Sequence, residues 1–481
     1  MKSIFLFLLI AISCRSVTAQ NVGIGSISPT EKLHVAGNIK GDTIKPNAIK
    51  LTPNAGNGKI LTSDANGNAS WQSSLGTGGN VGYGVWGDCA TNNNISGYQP
   101  VDDSDANSGS HFGESISVSG DFALIGSYDA DVNGNNSQGT ASIYKYNGTT
   151  WDFFQKITDP TGAAADLFGV SVSISGNFLV CGARQDNVGA NLTQGSACVF
   201  RYNGSSWVFM QKITDPNGEE GDRFGCSVSI SGHYMVIGAY LDDNGTAAPD
   251  RGSVSFYRYN GSSWVLMNKA VDPDGAQSDY FGFAVSISGD YAAVSSINDD
   301  ETNTNQGSVT VYKFNGASSF TRLEKLFDES PVAGEHFGSA ISNNGSDIFV
   351  GVEQENNLKG KVNYYRYLTN GYLLYQSFYS NTIAPATDFF GCSLSASGNY
   401  LLIGSQGRSY DPQFDVGDLT LYQKVGNFYH RVQSIRDPGS GTGSLFGKAV
   451  TIDGATKHFL ATKTVGGPYV SKSMVVFGKI N

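Results

Sequence analysis

The hexapeptide Asp129-Ala130-Asp131-Val132-Asn133-Gly134 is the stretch of this 481-residue chain best suited to chemistry. Its D-x-D-x-N-G spacing is the opening of a calcium loop. Oxygen ligands at alternate positions wrap a hard cation, and the glycine permits the sharp turn. Asp129, Asp131 and Asn133 are therefore the candidate metal ligands, and calcium is the candidate cofactor. Thr140 occupies the twelfth position, where a loop of the helix–loop–helix kind has a bidentate Glu, so this site would be weak or completed from elsewhere. Further acidic stretches occur at Asp242, Asp243, Asn244 and Asp250, at Asp299, Asp300 and Glu301, and at Asp411, Asp415 and Asp418. For each of these the plain alternative is a solvated polar loop.

Catalysis finds little support. The six histidines (His34, His111, His233, His336, His430 and His458) are scattered. No G-x-S-x-G elbow, H-E-x-x-H or P-loop ending is present. No catalytic residue is assigned, and the chain reads as non-enzymatic. The enzymatic alternative is a lyase or glycosidase using carboxylates far apart in sequence that meet in a channel.

The elements that position these loops follow from composition and period. The chain has 61 Gly, 24 Tyr and 27 Phe, only 15% of its residues are charged, and no window sustains a 3.6-residue apolar period. Short strands and tight turns are expected. Residues 1–19 read as a secretory signal peptide: Lys2, the apolar run Ile4–Ile12, then Val17-Thr18-Ala19 before cleavage. The alternative, lipidation at Cys14, is poorly served by Ala11 and Arg15. The apolar run is short for a membrane span and no second one follows, so the mature protein is expected to be secreted or held at the cell surface. Losing Lys2 and Arg15 moves the formal charge from −11 to −13. An acidic chain without basic clusters argues against nucleic acid and anionic membranes. Five cysteines remain, Cys89, Cys181, Cys198, Cys226 and Cys392, too few and too odd for a disulfide scaffold. Cys181 and Cys198 fall on neighbouring strands, where buried free thiols are expected.

The Phe-Gly pair begins at Phe112, Phe168, Phe224, Phe281, Phe337, Phe390 and Phe446, at spacings of 56, 56, 57, 56, 53 and 56 residues. In the third unit four strands are expected: Cys226–Ile230, Tyr234–Ala239, Ser253–Tyr259 and Trp264–Ala270. Asn260-Gly261 reads as a two-residue type I′ hairpin turn. Seven units of four antiparallel strands predict an all-β chain, a seven-bladed β-propeller over 95–481. The last unit stops at its third strand, so Ile95–Val101 is expected to supply the fourth and close the ring. The repeated Phe is expected in the core. The acid two residues ahead of it (Asp166, Asp222, Asp279, Glu335, Asp388) is expected to bond backbone amides at the blade junction.

Phe-Gly, the Ser-rich strand and a Gly-Ala or Gly-Ser after the second strand (Gly126-Ser127, Gly182-Ala183, Gly238-Ala239, Gly404-Ser405) resemble FG-GAP repeats, the blades of the integrin α-subunit head and of bacterial extracellular proteins. Gly351-Val352 and Ala461-Thr462 depart from the pattern. The resemblance implies calcium in hairpin loops, although Ser137 stands where its ninth-position acid belongs. Residues 20–72 resemble the short β stalk modules of bacterial surface and fibre-like proteins, which implies a possible homotrimer, and 73–94 reads as a Gly- and Asn-rich linker. The expected function is binding or adhesion to a protein or carbohydrate through loops on a rigid ring. The alternatives are a polysaccharide-acting enzyme and a structural surface or fibre component.

Overall fold

The computed structural model describes residues 95–480 apart from 104–108, 244–248, 381–386, 410–414, 437–442 and 466–471, together with four short strands before them. The expected leader, Cys14, Cys89, almost all of the linker, Asn244 and Asp411 lie outside the described residues. The chain divides into two units, Met1–Gly84 and Val85–Asn481. In the first, Val22–Ile24 pairs in parallel with Leu33–Val35, and Lys59–Ser63 pairs antiparallel with Ala69–Ser73.

The second unit is a ring of seven four-stranded antiparallel sheets. In the first blade Phe112–Ser119, Phe122–Ser127, Thr140–Tyr146 and Trp151–Ile157 pair in chain order. In the last, Val450–Asp453, His458–Val465 and Lys472–Ile480 are joined by Ile95–Val101, from the other end of the propeller sequence. Adjacent blades pack through their first strands, which ring the axis. The fourth strands carry exposed apolar side chains at the rim, such as Phe153 and Val208.

All seven Phe of the Phe-Gly pairs are at most 2% exposed. Each such side chain contributes about 1.5–3 kcal/mol by leaving water. The following glycine has φ between 83° and 97° in every blade, a region that disfavours a Cβ. The Phe amide docks on the preceding blade: Phe168 N donates to Gln138 O (2.8 Å) and Phe224 N to Gln194 O (2.8 Å).

The Ser-x-Ser-Gly phrase has a separate purpose. An innermost strand is a sheet edge with unpaired backbone N–H groups. Ser117, Ser173 and Ser229 accept the N–H of Ile174, Ile230 and Ile287 in the next blade, each at 3.1 Å. Ser119 and Ser175 likewise accept from Gly176 (3.2 Å) and Gly232 (3.0 Å). Asp453 accepts from Gly120 N (2.6 Å), which carries this collar from the last blade to the first.

Two local readings are corrected. The first strand of the third blade is Ser227–Ser231. The turn at Asn260-Gly261 is a four-residue loop, since Tyr259 faces Trp264 in the register. Asn260 Oδ1 accepts the N–H groups of Ser262 and Ser263, both at 2.9 Å, and so replaces the type I′ turn with an Asx turn. Cys181 and Cys198 stand directly opposite one another, buried, as free thiols.

Candidate binding site at the propeller axis

The acidic loops come first, because the sequence points to them. In the first blade Val132 and Asn135 pair across a tight hairpin whose tip residues Asn133 and Gly134 have φ of 51° and 91°. Asp131 Oδ1 accepts the Ser137 N–H at 2.9 Å. The second blade builds the same hairpin with Asn187 accepting from Thr193 N (2.8 Å). Asp243 accepts from Asp250 N (2.7 Å), Asp300 from Asn305 N (2.6 Å) and Ser409 Oγ from Asp415 N (3.0 Å). Asp, Asn and Ser thus do one job, pinning the loop to its own backbone, which needs an acceptor and no charge. Asp129 sits 4.0 Å from His111 Nε2. Among the described residues, neither Asp129 nor Asp131 joins two other acids or histidines whose ligand atoms share one ion's reach.

The first acid of each later loop is used in a different way. Lys212, on the fourth strand of blade two, bridges Asp159 (2.8 Å) and Asp186 (2.5 Å). Lys269 bridges Asp215 (2.7 Å) and Asp242 (2.5 Å), and Lys325 bridges Asp272 (2.8 Å) and Asp299. In blade five the lysine moves to the third strand: Lys361 holds Asp328, with Glu355 at 3.5 Å. Blade six reverses the polarity, with Arg408 on Asp418 (2.9 Å). Lys156 holds Asp103 (2.8 Å), just after the closing strand.

In blades two to five the acid ahead of Phe-Gly completes these buried groups. Asp166, Asp222 and Asp279 accept the N–H of Ala163 (2.5 Å), Glu219 (2.6 Å) and Ala276 (2.5 Å), as expected. With one lysine for three carboxylates, the third is held toward its neutral form. Burial, then nearby carboxylates, push Asp166 and Asp279 to about 6, Asp222 to about 7 and Glu335 to about 8. Asp328, Glu335 and Glu355 bring ligand atoms within 4.8 Å of one another, but the Lys361 ammonium already serves that group.

The open chemistry lies at the axis. A cavity of about 270 Å³ is lined by Glu114, Val170, Cys226 and Phe283, each next after a Phe-Gly, and by Tyr128, Arg184 and Tyr240, each just beyond a second strand. The residue before each Phe-Gly has φ between 46° and 62° although none is glycine. Such left-handed turns cost free energy and cluster at functional sites. Two of these residues pack on tyrosines of the lining. His111 stacks on Tyr128 at 4.7 Å, and Tyr280 meets Tyr240 edge-on at 5.5 Å. Burial and Cys226 raise the Tyr240 hydroxyl, while Arg184 and Arg223 act to lower it. Glu114, the carboxylate of the lining, is held by Lys448 (2.5 Å) and His111 (3.0 Å). Burial opposes its ionisation, but those two partners leave its pKa below the ordinary value.

The sequence reading missed this mouth. Its residues come from four blades, at most two from each, and differ in type from blade to blade, so no motif marks them. The available signal was the repeat itself: these are the positions where otherwise matching units diverge.

No curated protein matches the chain. The FG-GAP repeat family model matches residues 101–144, 151–200, 207–257 and 264–312. Each later match starts on the fourth strand of one blade and ends in the third strand of the next. A unit offset in this way leaves the last blade one strand short, which is the place Ile95–Val101 fills. Four matched FG-GAP repeats within a ring of seven like sheets make the region from Ile95 onward a seven-bladed FG-GAP repeat β-propeller.

Proposed function

We propose that this is a non-enzymatic binding or adhesion protein of the cell exterior, which reads its ligand at the axial mouth. The observation that carries the reading is the mouth's lining: aromatic faces, phenol hydroxyls and the Arg184 guanidinium, with Glu114 already paired with Lys448 and His111. A glycosidase or lyase working through two carboxylates needs both of them facing the substrate. A rigid ring that presents adaptable polar and aromatic groups suits recognition. The polysaccharide-enzyme reading keeps no carboxylate pair in this lining. Secretion after cleavage at Ala19 and trimerisation through residues 20–72 belong to the proposal, and so does a structural role for that stalk. Calcium at Asp129, Asp131 and Asn133 is not required by it.

The test is to incubate the mature protein with a panel of neutral and acidic polysaccharides, measuring retention and new chain ends together. Retention without cleavage is expected. New reducing ends or unsaturated products would replace the binding reading with the enzymatic one.

A further inference from the structure

We propose that the axial mouth is a subsite for an acidic sugar, a hexuronate residue whose carboxylate sits on Arg184. The inference rests on the binding reading and specifies its ligand class. The chain carries a formal charge of −11, and among the described residues the lysines of the blade junctions are engaged: Lys212, Lys269, Lys325 and Lys361 each hold a carboxylate, and Lys448 holds Glu114. Arg184 and Arg223 differ. Both are half-buried, and no hydrogen bond or ion pair engages either guanidinium among the described residues. Arg223 Nη1 is fully shielded from water and without a partner. Desolvating a guanidinium without pairing it opposes folding. Arg184 lines the cavity together with Tyr240, and Arg223 stands on the next blade, just ahead of its Phe-Gly. A guanidinium fork matches a carboxylate in two parallel bonds.

The rest of the mouth selects the body that carries the carboxylate. Tyr128, Tyr240 and Phe283 give flat apolar faces, with Tyr280 packed against Tyr240. The tyrosines add hydroxyls that donate and accept. About 270 Å³ suits one ring-sized group rather than a folded segment. An extended peptide would dock by adding a strand, and that requires free backbone groups. Around the axis the Ile174, Ile230 and Ile287 amides are already taken by serines of the preceding blade. A pyranose carboxylate needs no such edge.

The probe is a galacturonate trimer, with the galactose trimer as neutral control and a short acidic peptide as a third arm, measured by calorimetry on the mature protein. The galacturonate trimer should bind and the galactose trimer should not. Arg184→Gln should weaken binding about tenfold or more, and Arg184→Lys should recover part of it, since it keeps the charge and loses the fork. Arg223→Gln, outside the lining, should change binding less. Unchanged thermal midpoints establish that the variants fold; Arg184→Lys carries the test if Arg184→Gln does not. Equal binding of both sugars, no binding of the galacturonate trimer, preference for the peptide, or affinity unaffected in both Arg184 variants would overturn the inference. A protein that retains some other polysaccharide uncut while failing these tests keeps the binding function and loses the acidic subsite.

Discussion

Gln99 brackets the backbone of Trp151, which lies 52 residues away: its Nε2 donates to Trp151 O at 2.7 Å, and Trp151 N donates to its Oε1 at 2.9 Å. The same two-way clamp joins Gln155 to Trp207, Gln211 to Trp264 and Gln376 to Tyr429, always from one blade's fourth strand to the next. The segment ahead of the first Phe-Gly therefore behaves as a fourth strand in side-chain detail as well as in pairing. Gln99→Ala should destabilise the propeller by about 2 kcal/mol, since two part-buried backbone groups lose their partners. Starting the chain after residue 101 should go further, leaving Lys472–Ile480 as an open edge and giving soluble aggregates. Denaturant midpoints and size-exclusion profiles check both.

The junction lysines should be among the costliest surface-distant positions. Lys325 is almost fully buried between Asp272 and Asp299. Lys325→Ala leaves two carboxylates buried without a counter-charge and should cost about 3–5 kcal/mol. Asp131→Asn should be close to neutral, because Asn187 does the same work in the second blade. Asp131→Ala should cost about 1 kcal/mol. A working calcium loop predicts otherwise: Asp131→Asn would then abolish a calcium-dependent rise in the thermal midpoint, measured against EDTA.

Stability should fall between about pH 5 and pH 8 through the acids ahead of Phe-Gly. Their folded-state pKa values are raised, so the folded state holds protons the unfolded chain has released. That contribution is complete below their ordinary values and is lost as pH rises through about 6 to 8. His336 and His458 are lowered by burial and act in the opposite sense, destabilising the fold as pH drops below the ordinary histidine value. The comparison of wild type with Asp222→Asn separates the two. The variant should lose part of the acid-side advantage, seen as a flatter midpoint-against-pH curve.

The serine collar predicts a local signature. Ser173→Ala orphans the Ile230 amide of the next blade. That amide should exchange faster with deuterium, with little change at Ile287, whose partner Ser229 is untouched.

The ring was legible in the sequence because its signals are local and repeated. A Phe-Gly pair every 53 to 57 residues, alternating serines and Asn-led loops need only the chain order to be read. Partnerships across blades were harder. Lys156, Lys212, Lys269 and Lys325 each stand three residues before an acid (Asp159, Asp215, Asp272 and Asp328), a regularity visible in the sequence. Yet Lys212 pairs with Asp159 of the preceding blade and not with Asp215, and that pairing exists only once the blades stack. For the acidic loops the sequence does not separate the possible uses, because carboxylates serve lysines, backbone amides and cations through the same oxygens. Arg184 drew no notice because a single arginine carries no pattern until the blades stack and set it in one lining with Tyr240.

The most direct test of an axial binding surface is hydroxyl-radical footprinting of the mature protein, alone and with saturating polygalacturonate. Tyr128, Tyr240 and Tyr280 are the reporters at the mouth, and Phe153 and Tyr379, each 57% exposed on the rim, are the controls. The account predicts protection of the three tyrosines with the rim residues unchanged. Protection of the rim with the mouth still reactive would contradict it.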